Sequence, residues 1–177
     1  MTRTQIEPSV DPALTALVNG VSRDAFALLG PHAEASGSGW VVRALQPADV
    51  TRIVAAAELR NGDAVKRMLA IGWPARTADR GGLTALHWAG FHGDAAMARA
   101  LLAAGAPLDV RDDVHSGTPL GWVLWGSVHG WHRKHGDYPG TVQAMLDAGA
   151  TPPAITDTLV ASDGVKRVLA ERKGKNL

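Results

Sequence analysis

Cysteine is absent from the 177 residues, which excludes disulfides, thiolate metal sites and cysteine nucleophiles and fits a reducing compartment. No run of about 18 apolar residues occurs, so no segment is expected to span a membrane. An excess of one charge is missing too: 18 Lys and Arg face 17 Asp and Glu, a formal net charge of +1. The basic pairs Lys66-Arg67, Arg133-Lys134 and Lys166-Arg167 are scattered. Binding to a phosphate backbone or an anionic bilayer needs a concentrated positive field, so neither nucleic acid nor membrane is an expected partner. The opening MTRTQIEPSVDPALTALVNG carries acidic and polar residues where a signal peptide needs an unbroken apolar core, and the expected location is cytoplasmic. Phenyl rings are few, 1 Tyr and 2 Phe, but there are 6 Trp and 7 His. Three of those tryptophans, three of those histidines and the tyrosine crowd into GWVLWGSVHGWHRKHGDYPG, residues 121–140.

The chain is periodic. Gly72 ends the run VKRMLAIG and Gly105 ends ARALLAAG one 33-residue step later, and the same step aligns Thr51 with Thr84 and Met68-Leu69 with Leu101-Leu102. A step of 34 carries Thr84 to Thr118, Leu86 to Leu120 and Trp88 to Trp122. Within the copy GLTALHWAGFHGDAAMARALLAAGAPLDVRDD (82–113), Thr84 is placed to cap a helix whose apolar stripe includes Leu86 and Ala89. Gly93 breaks that helix, and Asp94 can cap a second carrying Met97, Leu101 and Leu102 on one face. A helix pair this small cannot bury its stripe alone, so the copies must stack.

These residues resemble the ankyrin repeat, with its G-x-T-P-L-H-x-A-A-x-x-G run followed by V-x-x-L-L-x-x-G-A. Gly82-Leu83-Thr84-Ala85-Leu86-His87-Trp88-Ala89-Gly90-Phe91-His92-Gly93 and Leu101-Leu102-Ala103-Ala104-Gly105-Ala106 carry the resemblance, and the next copy opens Gly117-Thr118-Pro119-Leu120 and closes Met145-Leu146-Asp147-Ala148-Gly149-Ala150. It implies an all-α solenoid of stacked helix-turn-helix units with helical caps, of the short bacterial type, in a single domain over 1–177. The expected divisions are an N-terminal partial repeat with a flexible Ser/Gly loop (11–45), repeats at 46–79, 80–113 and 114–151, and a C-terminal helical cap (152–177). The copy at 46–79 departs from the pattern at Arg60, where the inter-helix glycine belongs. A shorter stretch, FALLGPHAEASGSGWVVRALQP, is similar to the opening of the β-sandwich module of glycogen branching enzymes, but covers only about twenty residues and lacks any following catalytic barrel.

The third repeat is long. Thr84 to Gly105 spans 21 residues, but Thr118 to Gly149 spans 31, so ten additional residues belong to a loop at 126–137 between its helices. The evenly spaced His129, His132 and His135, with His115 nearby, are candidate metal ligands, since three imidazoles leave an open position of the catalytic type. Ser127 and the Asp137-His135 pair are the candidates for catalysis. Against these stands a packing reading, in which Trp131 and Tyr138 fold back over the stack with their N–H and O–H in water.

The resemblance implies recognition through the concave face and turn tips. Phe91, His92 and Trp125 fall on that face, with His92 at the surface, and Arg76, Arg80, Arg111, Asp112, Asp113 and His115 form a polar rim. Trp88 and Trp122 are assigned to packing between repeats, and His87 to a hydrogen bond across repeats, a place occupied by Gly121 in the next copy. The expected function is non-catalytic binding of an unidentified protein partner by a monomer or weak homo-oligomer. No cofactor is expected. Specificity is added by the loop residues His129, Trp131, His132 and Tyr138. The alternative is a metal-binding protein or small metal-dependent enzyme using the histidine loop.

Overall fold

The computed structural model describes residues 33–36, 39–42, 51–70 and 72–175. The chain divides into two units, residues 1–52 and 53–177. In the first, β1 (Ala33–Ser36) and β2 (Gly39–Val42) pair antiparallel, Ala33 opposite Val42 and Ser36 opposite Gly39. The stretch expected as a Ser/Gly loop therefore holds paired strands, consistent with the β-prone run Trp40-Val41-Val42. The rest of the expected partial repeat at 11–45 lies outside the described residues.

The second unit is helical: α1 (Arg52–Glu58), α2 (Gly62–Ala70), α3 (Ala85–His92), α4 (Ala95–Ala103), α5 (Pro119–His129), α6 (Tyr138–Asp147) and α7 (Asp163–Lys175). Three consecutive pairs and a closing helix are the stacked all-α architecture the repeat implies. Second helices form one row, α2 on α4, α4 on α6 and α6 on α7, while the first helices α3 and α5 pack side by side. The core runs through the stack. Ile53 and Met68, then Leu86, Met97 and Leu101, then Val123, Val142 and Met145, and finally Val165 and Leu169 are each at most 1% exposed. Each fully buried aliphatic or methionine side chain contributes about 1.5–3 kcal/mol, which an isolated helix pair could not collect.

Local chemistry fixes the helix ends. Asp94 caps α4 by accepting from Met97 N at 2.9 Å, Thr118 caps α5 by accepting from Gly121 N at 3.2 Å, and Asp137 caps α6 by accepting from Gly140 N at 2.9 Å. Gly93 ends α3 in the left-handed region at φ 64°, and Arg60, the departure noted in the first repeat, occupies the matching position at φ 57°. The backbone geometry of the repeat is thus kept without the glycine that makes it easy. Between repeats the turns are tied together, with Asp113 N donating to Gly81 O at 2.9 Å. At the far end Arg172 holds Asp147 at 2.7 Å, and Ser162 N donates to Ser127 Oγ at 2.9 Å, fastening α7 to the third repeat.

The insertion is shared between helix and loop. Helix α5 continues through Gly126 to His129, three residues longer than α3, so the loop proper is residues 130–137. Gly126 does not break the helix because it serves packing. A Cβ there would collide with the Phe91 carbonyl, and one on Gly90 would come within 2.8 Å of Pro119 O, so α3 and α5 meet backbone to backbone.

Candidate functional site

Two histidines of α3 hold its neighbours. His87 Nδ1 accepts from Thr84 N at 3.0 Å, with the Thr84 hydroxyl 2.9 Å away, so its proton is assigned to Nε2, which lies 3.2 Å from Gly117 O in the next repeat. His92, expected at the surface, is 1% exposed, and its Nε2 reaches back 2.8 Å to Glu58 O at the end of α1. Burial holds both imidazoles below the usual histidine range, outweighing their carbonyl hydrogen bonds, and so keeps them neutral. His92 Nδ1 is buried without a partner.

Asp112, expected at an exposed turn tip, is 2% exposed. Its Oδ1 accepts from His115 N at 2.6 Å and Val114 N at 3.0 Å, and its Oδ2 from Gly117 N and Trp122 Nε1, both at 2.9 Å. Burial by itself pushes the carboxyl upward, but these donors prevail and bring it down to about 2, so it is an anion at neutral pH. The equivalent Asp79, 33 residues earlier, accepts from Gly81 N at 2.8 Å and Leu83 N at 3.0 Å.

Beside this carboxylate a cavity of about 620 Å³ opens between α3, α5 and the inserted loop. Its walls are Trp88 and Phe91 of α3, Trp122 and Trp125 of α5, Trp131 of the loop, and His115 of the turn. The rings meet edge to face: Trp88 and Phe91 at 5.9 Å and 87°, Phe91 and Trp131 at 5.3 Å and 89°, Phe91 and Trp122 at 5.7 Å and 70°. Trp88 and Trp122, assigned to inter-repeat packing, do touch at 5.6 Å, yet both are only half-buried and face the cavity. Trp88 Nε1 is buried and without a partner. Trp125 and Trp131 are 53% and 72% exposed at the rim.

The other sequence candidates fall into place around it. Arg76, Arg80, Arg111, Asp113 and His115 are exposed, with Arg111 donating to Ser116 O at 2.7 Å and the His115 ring 6.2 Å from Trp122. Tyr138 departs from the expectation of a wet hydroxyl: the residue is 2% exposed and its Oη donates to Phe91 O at 3.0 Å, anchoring the base of the loop to α3. Burial pushes its phenol up. The histidines do not converge. His129 lies against Trp125 at 3.9 Å, His132 against His92 at 5.4 Å, and among the described residues no group of three or more His, Cys, Asp and Glu could hold a metal ion. His132 is held below the usual range by partial burial and by the charges of Arg60 and His135. Ser127, the candidate nucleophile, is 5% exposed and donates to Leu124 O at 2.7 Å, while Asp137 is the cap of α6.

Sequence reasoning assigned Trp88 and Trp122 to packing and Asp112 to an exposed rim, and so missed the cavity walls and the buried carboxylate behind them. The recurrence of an aspartate at 79 and 112, each a few residues ahead of a helix cap, was the available signal for the last.

A family model for the ankyrin repeat matches residues 81–113, the copy that carries α3 and α4. No curated protein matches the chain.

Proposed function

We propose that this ankyrin-repeat protein binds a protein partner across the face of its first helices, with the aromatic cavity at the centre and the turn residues Arg80, Arg111, Asp113 and His115 and the loop 130–137 around it. Ankyrin repeats generally mediate protein–protein interaction, and the observation that supports this placement is the exposure of Trp125 and Trp131 beside the cavity. Adjoining aromatic side chains left in water, with Val114 also 72% exposed on the neighbouring turn, are what docking surfaces are built from. The non-catalytic reading draws support from Ser127 and Asp137, whose functional groups are committed to backbone partners. The same reading takes the chain as a monomer or weak homo-oligomer acting in the cytoplasm.

The test is capture from native lysate with cross-linking mass spectrometry, using wild type and a Trp125→Ala/Trp131→Ala variant whose helicity is checked by circular dichroism. One specific partner held by wild type and lost by the folded variant is the expected result. Equal retention by the variant would move recognition to another face.

A further inference from the structure

Five aromatic rings enclose one side of the cavity, and among the described residues its lining contains no aliphatic side chain, lysine or arginine. An apolar group could be held by leucines. Five aromatic rings lining one space instead bring polarisable, electron-rich π systems together there, which favours a cation. The field is reinforced from behind. Trp122 donates its indole N–H to the buried Asp112 carboxylate at 2.9 Å, a charge-assisted bond that pushes electron density toward the ring face. Asp112 has no capacity left for a ligand's protons, because four donors already occupy its two oxygens.

This combination selects among cations. A bare lysine ammonium brings three N–H donors and would lose most of their hydration against the five rings, since Phe91 has no polar atom and an indole N–H can only donate. A trimethylated ammonium carries the same charge on methyl groups and has no N–H to satisfy.

We propose that the cavity receives a trimethylammonium group presented on a lysine side chain of the protein partner, with Trp122, Trp125 and Trp131 among its walls and Asp112 as the fixed counter-charge. The inference rests on the reading of this face as a docking surface. A volume of about 620 Å³ accommodates the methylated head, its aliphatic stem and adjoining peptide atoms.

The full chain should be titrated calorimetrically with a short Gly/Ser peptide carrying one trimethyllysine. Parallel titrations use the unmethylated peptide, the neutral isostere in which carbon replaces the quaternary nitrogen, and free choline. The trimethyllysine peptide should bind at least about tenfold more tightly than the unmethylated peptide and the isostere, and the folded Trp125→Leu and Trp131→Leu variants should each weaken it by about tenfold. Equal binding of the isostere would reduce the site to an apolar pocket and overturn the proposal. Binding of choline without the peptide would place the ligand among free small molecules and overturn the protein source. If no probe binds, yet an unmodified partner is captured by wild type and released by the Trp125→Ala/Trp131→Ala variant, the docking surface stands and this inference fails.

Discussion

Trp122 Nε1 stands 2.9 Å from Asp112 Oδ2, so one carboxylate both organises the turn ahead of α5 and orients a wall of the aromatic cavity. The geometry of the turn and the geometry of the site are set by the same two oxygens, which makes this residue the most informative one to change.

Replacing Asp112 by Ala leaves the amides of Val114, His115 and Gly117 and the Trp122 indole without their acceptor. A loss of about 2–4 kcal/mol in urea unfolding is the expected result, with a smaller loss for Asp112→Asn, which keeps one acceptor oxygen. Its depressed pKa has a definite sign. The anion's contribution is intact above the ordinary aspartate range and disappears as pH falls from about 4 through about 2.

A second loss of stability belongs to His87 and His92 and comes at milder pH. Both are held below the usual value in the fold, so the unfolded chain takes up protons near pH 6.5 while the folded one resists. Stability should therefore fall from pH 7 to pH 5. Asp112 and Asp79 partly offset burial at His87, whereas His132 and Arg60 add to it at His92, with Asp94 opposing. The melting temperature should fall from pH 7 to pH 5 in wild type and fall less in a His87→Gln/His92→Gln variant.

Arg60 is exposed and left-handed, at φ 57°. Arg60→Gly removes a backbone cost of about 1–2 kcal/mol and adds unfolded-state freedom of about 0.5–1 kcal/mol. A net gain of about 0.5 kcal/mol in urea unfolding is expected.

Two glycines in helices should respond oppositely to alanine. At Gly126 the new methyl meets the Phe91 carbonyl and has to force α3 and α5 apart, for a loss of about 2 kcal/mol or more. At Gly174 on α7 nothing lies within 4 Å, and helix propensity gives a gain of up to about 1 kcal/mol. Paired melting curves of the two variants check the contrast.

What was legible in the sequence was whatever repeats. Gly72 and Gly105, aligned by spacing, and Gly149, aligned by the closing motif of its copy, all take positive φ, at 89°, 79° and 100°. The misreadings involve contacts between residues far apart in sequence. His92 looked like an exposed helix end because its partner, Glu58 O, is 34 residues away. The expected loop began at residue 126, whereas Gly126 lies inside α5, because the carbonyl it accommodates belongs to Phe91, in the preceding repeat. Trp88 and Trp122 were assigned to packing by register, but glycine already closes the seam between their helices, leaving the rings to line a cavity. The ten-residue excess between Thr118 and Gly149 pointed to a longer connection, but nothing in its length showed that Tyr138 would tether its base.

That tether separates two kinds of change. Gly130 N bonds Gly126 O at 2.8 Å, Tyr138 Oη bonds Phe91 O, and between them the side chains of Arg133, Lys134 and His135 face solvent. The loop is therefore a graft point, where the tip can be rewritten or randomised for new specificity while the stack beneath keeps its register.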